Sequence, residues 1–224
     1  MRQECFTRLL IAVASMAAAL SCGGCGIVSI FGTPTRHEKK IAAEYDLAGR
    51  RNEKILVLVD QPAWLDSEVN LRYHLTKRLN DKLLKSVRIP VPHLTSYEEL
   101  SGLRAARPDF ASLSPSQVAS ALDADVVLFV MIEACQLERV AETSYYRGAM
   151  SVRSALYDAA TAAQLWPESP NGKTVRVGFD MESRSREAAV QRLAAAAAHC
   201  IVRYLYDCPQ AQFGISDDKS AVEW

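Results

Sequence analysis

Histidine is scarce in this sequence. Four copies stand among 224 residues, His37, His74, His93 and His199, and none is paired at ligand spacing with another His or with a Cys pair. His37-Glu38 opens the helical zinc-protease pattern, but Ile41 occupies the place of the second His, so that metal site is excluded. A Gly-x-Ser-x-Gly elbow and a phosphate-cradling Gly-x-x-x-x-Gly-Lys-Ser/Thr loop are also missing. Net charge is lacking too, since 26 Lys plus Arg balance 26 Asp plus Glu. A neutral chain has no global electrostatic reason to seek nucleic acid, and no nucleic-acid partner is expected. Six Cys are too few for a disulfide-built scaffold, and 10 Gly with 9 Pro exclude a low-complexity chain. No cofactor, metal or catalytic residue is expected, and the chain is expected not to be an enzyme.

What is present begins at the N-terminus. Arg2 and Arg8 flank a single Glu4, residues 9–20 are an apolar stretch, and Ser21-Cys22-Gly23-Gly24-Cys25-Gly26 follows. A basic start, a short apolar segment and a small-residue exit form an export signal. A stretch of twelve residues falls short of the roughly 20 that span a bilayer. Residues 9–35 carry no charge, so a retained membrane helix can also be drawn, although a helix through the Gly cluster is costly. Ala19-Leu20-Ser21-Cys22 resembles a bacterial lipoprotein signal. That resemblance implies a diacylated Cys22 as the first residue of the mature chain, with Cys25 as the second candidate. Several acyl chains on one Cys anchor stably where one chain binds marginally. Gly23 stands where an Asp would mark inner-membrane retention, which favours the outer membrane with the domain facing the periplasm. Cleavage removes Arg2, Arg8 and Glu4, leaving a net charge of −1.

Downstream, the pattern predicts a tether over residues 22–52, a single domain over 53–208 and a loose tail over 209–224. Residues 55–59 form a continuous apolar run, as in a strand buried on both faces. Leu71, Leu75, Leu79 and Leu83 recur at spacing four, predicting a core-facing helix of about 18 residues capped by Asp66 or Ser67. A short strand is expected over 87–91, interrupted by Pro90. Thr95 to Glu98, Ser96 to Glu99 and Ser114 to Gln117 satisfy the capping-box pattern before two short helices. Residues 126–132 read as the central strand. Residues 150–157 alternate, Asp158 to Thr161 turns, and 163–166 returns as a hairpin partner. Val175, Val177, Phe179 and Met181 alternate inward on a further strand, and a long helix capped by Ser185 runs from Arg186 to about Tyr206. The expected fold is α/β of the α+β kind. A mixed sheet of about six strands has a βαβ-like first half, an antiparallel meander for its second, and long helices packed on one face.

Residues that can carry chemistry are few. Cys22-Gly23-Gly24-Cys25 spells a Cys-x-x-Cys, but an acylated Cys22 has no thiol left for redox work or zinc. Eight residues separate Cys200 from Cys208, about 12 Å along a helix and beyond disulfide reach. Cys135 could meet either of them, or all three could be free thiols. His93, Asp109, Ser112 and Ser114 fall in one region, where a hydrolase site is conceivable, although a helix cap accounts for Ser114. Trp64, Tyr145, Tyr146 and Trp166 stand near loops or strand ends, where aromatics either anchor a partner or lid the core.

Residues 157–166, Tyr-Asp-Ala-Ala-Thr-Ala-Ala-Gln-Leu-Trp, resemble a hairpin of envelope lipoproteins in which an alternating strand ends in an Asp turn and returns on Leu-Trp. With Ala124-Asp125 entering the central strand, the layout over residues 53–206 is similar to the TolB N-terminal-like group, which includes curli-secretion and penicillin-binding-protein-activating lipoproteins. The resemblance implies a non-enzymatic α/β domain that docks other envelope proteins or assembles into rings. The expected function is therefore a lipid-anchored envelope accessory that contacts the membrane through its lipid and another envelope protein through its domain. A homo-oligomer or an export-assembly subunit is one alternative, and a periplasmic hydrolase at His93 and Asp109 is another. The connection over residues 133–149 reads as too short and too charged for a transmembrane hairpin.

Overall fold

Five apolar residues followed by Asp60 make β2 (Ile55–Asp60), whose alternate side chains enter two different cores. A computed structural model describes residues 39–62, 64–65, 70–141 and 143–213. The chain separates into two units, Met1–Lys39 and Lys40–Trp224, and the elements below lie in the second. Cys22 and Cys25, the expected signal segment, and the expected caps Asp66 and Ser67 lie outside the described residues.

β2 runs parallel to β3 (Val126–Arg139), in register from Ile55↔Val126 to Asp60↔Met131. β4 (Tyr145–Asp158) is antiparallel to β3. Along its other side lie β6 (Lys173–Glu182), opposite Tyr145 to Ser154, and the short β5 (Gln164–Trp166), opposite Leu156 and Tyr157. The result is a mixed five-stranded sheet, which matches the α/β class read from sequence.

One face carries α1 (Leu71–Lys82) and α4 (Arg186–Val202). The leucine stripe of α1 is fully buried, and Asn70 caps it by accepting from Tyr73 N at 3.0 Å. The run Ala194 to Ala198 keeps α4 slim, so that sheet and α1 both approach it closely; of these five residues only Ala195 is more than slightly exposed. The two long helices thus share a face as expected. The short helices α2 (Tyr97–Ala106) and α3 (Pro115–Ala121) cover the other face, but only beside β2 and the start of β3, where Leu100 and Val118 meet Leu56, Leu58 and Val127. Both begin with a formed capping box, at Ser96 and Ser114.

Four expectations change. No strand forms over 87–91: Val87 closes a π-helical turn, Arg88 is left-handed at φ 66°, and Ile89 N returns to Leu83 O at 3.2 Å. Pro90 and Pro92 have no N–H to offer a ladder. Residues 133–149 are not a mere connection, because β3 and β4 continue through them as a hairpin of two 14-residue strands. A register shift between Ile132 and Ala134 resets the alternation there. Finally, residues 40–52 pack on the domain instead of trailing as tether. β1 (Lys40–Ile41) pairs with β7 (Cys208–Pro209), and Leu47 is fully buried. The tail likewise begins ordered, in a short helix α5 (Gln210–Phe213).

Candidate functional site

The β3–β4 hairpin outruns β2, which ends opposite Met131, and it is backed by β6 as far as Glu182 opposite Tyr145. One side of this extension packs on α4 through Leu137 and Met181. Gly148 allows that approach, since a Cβ there would lie 2.8 Å from Leu193 Cδ1. On the other side neither α2 nor α3 reaches it, and register sets polar residues beside small ones: Glu138, Arg147 and Asp180, then Gln136, the buried Ala149 and Gly178, then Ala134, Ser151 and Arg176. Small residues in the middle leave a depression of about 530 Å³, bordered by Glu133 and Arg176. Charges on this face are matched locally. Arg153 pairs with Glu133, which also accepts from Ser151 Oγ at 3.2 Å, and Arg147 Nε meets Asp180 Oδ1 at 3.1 Å.

The tip is pinned. Val140 N donates to Tyr145 O at 2.9 Å, Arg139 Nε to Thr143 O at 2.8 Å, and Tyr145 N to Thr143 Oγ1 at 3.1 Å. Ser183 N, just before α4, donates to Ser144 O at 2.8 Å, and Arg186 Nη1 to Leu137 O at 3.2 Å. The tip therefore sits at the N-terminal end of α4. Lys40 and Ile41 sit at its C-terminal end beside β7, 17 helical residues or about 25 Å away. On that tip Tyr145 is 49% exposed and Val140 39% exposed.

The other aromatics singled out from sequence fare differently. Trp64 is 70% exposed, beside the end of β2. Tyr146 is half-buried against the main core. Trp166 is buried at 2% exposure, its indole Nε1 donating to Glu44 at 2.9 Å, so it presents nothing to a partner. Its place beneath residues 40–52 is what sequence reading missed.

His93 and Asp109 are not brought together. His93 ends a 3-10 turn (Val91–His93) beside Leu94, which bridges Ile55 at the start of β2. Asp109 lies beyond the far end of α2, held by Arg107 Nε and Nη2 at 3.1 and 2.7 Å. That pairing holds the Asp109 carboxyl below its usual range. Ser114 Oγ is occupied in its cap, accepting from Gln117 N. Cys135 is a free thiol, so it bridges neither Cys200 nor Cys208, and burial pushes it up to about 11. Gly172-Lys173-Thr174 spells the end of a phosphate-binding loop, yet it opens a strand, and Lys173 Nζ pairs with Glu44 at 2.7 Å. Among the described residues no group of three or more His, Cys, Asp or Glu converges as metal ligands do. Among the same residues no helix is long and apolar enough to cross a membrane.

No protein-family model and no curated protein matches the chain. Several solved structures do. The PelC dodecamer from Paraburkholderia phytofirmans is 14% identical over 75% of this chain and 94% of that one, with a TM-score of 0.40. Lipoprotein GNA1162 from Neisseria meningitidis is 15% identical over 67% and 98%, with a TM-score of 0.36. The LpoB C-terminal domain from Salmonella enterica is 14% identical over 62% and 84%, with a TM-score of 0.31. The chain is thus similar to these solved structures, one of them a lipoprotein, at a distance that transfers no function from any of them.

Proposed function

We propose that this chain is a lipid-anchored envelope protein whose periplasm-facing domain docks another envelope protein, without catalysis of its own. The observation that carries the reading is polarity of placement. The first described strand, β1, lies at the C-terminal end of α4, and the exposed Tyr145 and Val140 sit on a pinned hairpin tip at the other end. Acyl chains at Cys22 would tether the domain through residues that enter it at Lys40, leaving the hairpin tip clear of that point of entry. An exposed Tyr on a rigid tip anchors at little entropic cost, and the mixed charges beside it give orientation. The ten-residue outer edge of β6 is less suited to pairing, because Lys173, Arg176, Asp180 and Glu182 line that strand with both signs of charge.

Photo-crosslinking in intact cells tests this. A benzophenone amino acid at position 145 is expected to form an adduct with an unlike envelope protein, and one at exposed Ser120 is not. An adduct only with a second copy of the chain replaces docking with self-assembly, the export-ring alternative. No adduct from position 145 overturns the reading. Acyl labelling lost in Cys22→Ala and kept in Cys25→Ala would establish the attachment site.

A further inference from the structure

We propose that the cleft at the carboxyl end of β2 binds a monoanion, a carboxylate or phosphodiester, carried on an apolar group. This site is separate from the hairpin tip and does not depend on the docking reading. The cleft measures about 600 Å³, within the range of small-molecule sites. It opens at the carboxyl end of β2, where that strand's chain leaves the sheet beside the continuing β3; crevices at the carboxyl ends of parallel strands are common ligand sites. Part of its wall is apolar, including Leu58, Val118 and Phe129.

Two guanidiniums face each other's field at its rim. Arg72, from α1, donates from Nη2 to Gln61 O at 3.0 Å, and its buried Nε finds no hydrogen-bond partner. Arg104, from α2, donates from Nη2 to Val59 O at 2.8 Å and lies over the Phe110 ring, 5.0 Å from its centre. Among the described residues neither makes an ion pair with a carboxylate. Burial first, then the Arg72 charge, pull Arg104 below its ordinary value, and the exposed Asp60 offsets this in part.

Two arginines with donors to spare, fixed by backbone carbonyls, form a preorganised fork for the paired oxygens of a carboxylate or phosphodiester. Local charge sets its valence. Arg107 is neutralised by Asp109, so Arg72, Arg104 and Asp60 leave one positive charge, which a monoanion balances. The apolar part of the wall then selects an acid with a hydrocarbon body over a small inorganic ion.

Isothermal titration of the full chain with 4-phenylbutyrate and, separately, dihexyl phosphate tests the proposal, with 4-phenylbutylammonium as the cationic counterpart. Saturable binding of either anion and none of the cation is expected, weakened about tenfold or more by Arg104→Lys and by Ala111→Trp. Ala111 is exposed on the cleft wall, so a bulky side chain fills the space and leaves both guanidiniums in place. Thermal unfolding of each variant accompanies the titration, and if Arg104→Lys is unstable, Ala111→Trp decides. Binding of the carboxylate alone identifies soluble acids as the source, and of the phosphodiester alone, lipid headgroups. Saturation by neither anion, equal binding of the cation, or binding undiminished in Ala111→Trp overturns the proposal.

Discussion

Glu44 accepts the indole N–H of Trp166 at 2.9 Å across 122 positions of sequence. The same carboxylate pairs with Lys173 Nζ at 2.7 Å, and Glu44 N donates to Tyr204 O at 2.9 Å. One residue of the expected tether therefore lids the aromatic that looked available for docking.

Residues 40–52 should contribute to stability. Leu47→Ala is expected to cost about 2–4 kcal/mol, the scale of a buried leucine truncated to alanine. Glu44→Ala should cost about 1 kcal/mol by leaving the Trp166 indole unpaired. Urea unfolding of the two variants checks both values, and an unchanged midpoint for Leu47→Ala would return the segment to the tether.

Acid should weaken the turn after β4. Thr161 N–H, the Arg50 guanidinium and the Thr161 hydroxyl all donate to Asp158, holding its carboxyl at about 2. A lowered carboxylate stabilises fully above its unfolded value and loses that contribution as pH falls from about 4 to about 2. Asp158→Asn should flatten stability over that window and cost about 1 kcal/mol at neutral pH.

Two glycines should respond with opposite sign. Gly172 sits at φ +76°, and a Cβ there would lie 2.9 Å from Ser154 O, so Gly172→Ala should lose about 1–2 kcal/mol. Gly102 lies within α2 with nothing within 4 Å of a Cβ, and Gly102→Ala should gain about 0.5–1 kcal/mol. Thermal unfolding of the pair measures both.

Cys135 should be inert. With its thiol pushed up to about 11 by burial, little thiolate exists at neutral pH. Alkylation of Cys135 in the native chain should be slow and should become fast in denaturant, as followed by peptide mass spectrometry.

Tyr145→Ala should separate docking from folding. An exposed tip residue changes stability by less than about 0.5 kcal/mol when truncated. Its unfolding midpoint should match the parent chain while partner capture falls.

Much of the fold was legible because local physics specifies it. The leucine stripe of α1, the capping boxes at Ser96 and Ser114 and the cap at Ser185 all formed, each needing only neighbours within one helical turn. Where Thr95 and Ser96 both fitted the box, the helix chose Ser96, since Thr95 N was already committed to Ile55 O at 3.0 Å. The hairpin extension was hidden for the opposite reason. Half of its residues face solvent, so Glu133, Gln136 and Glu138 read as loop until pairing with β4 revealed a strand. Of the docking candidates, Tyr145 and Trp64 kept their exposure and Trp166 did not, a difference no local pattern encodes.

The sequence alone determined the α/β class and the apolar faces of the helices and strands, because periodicity and capping act over a few residues. Tertiary structure alone decided that residues 40–52 belong to the domain, that β3 and β4 project past β2, and that Arg72 and Arg104 meet at one cleft. Those outcomes depend on which distant surfaces close on one another, and burial of that kind is a property of the packed chain rather than of any segment.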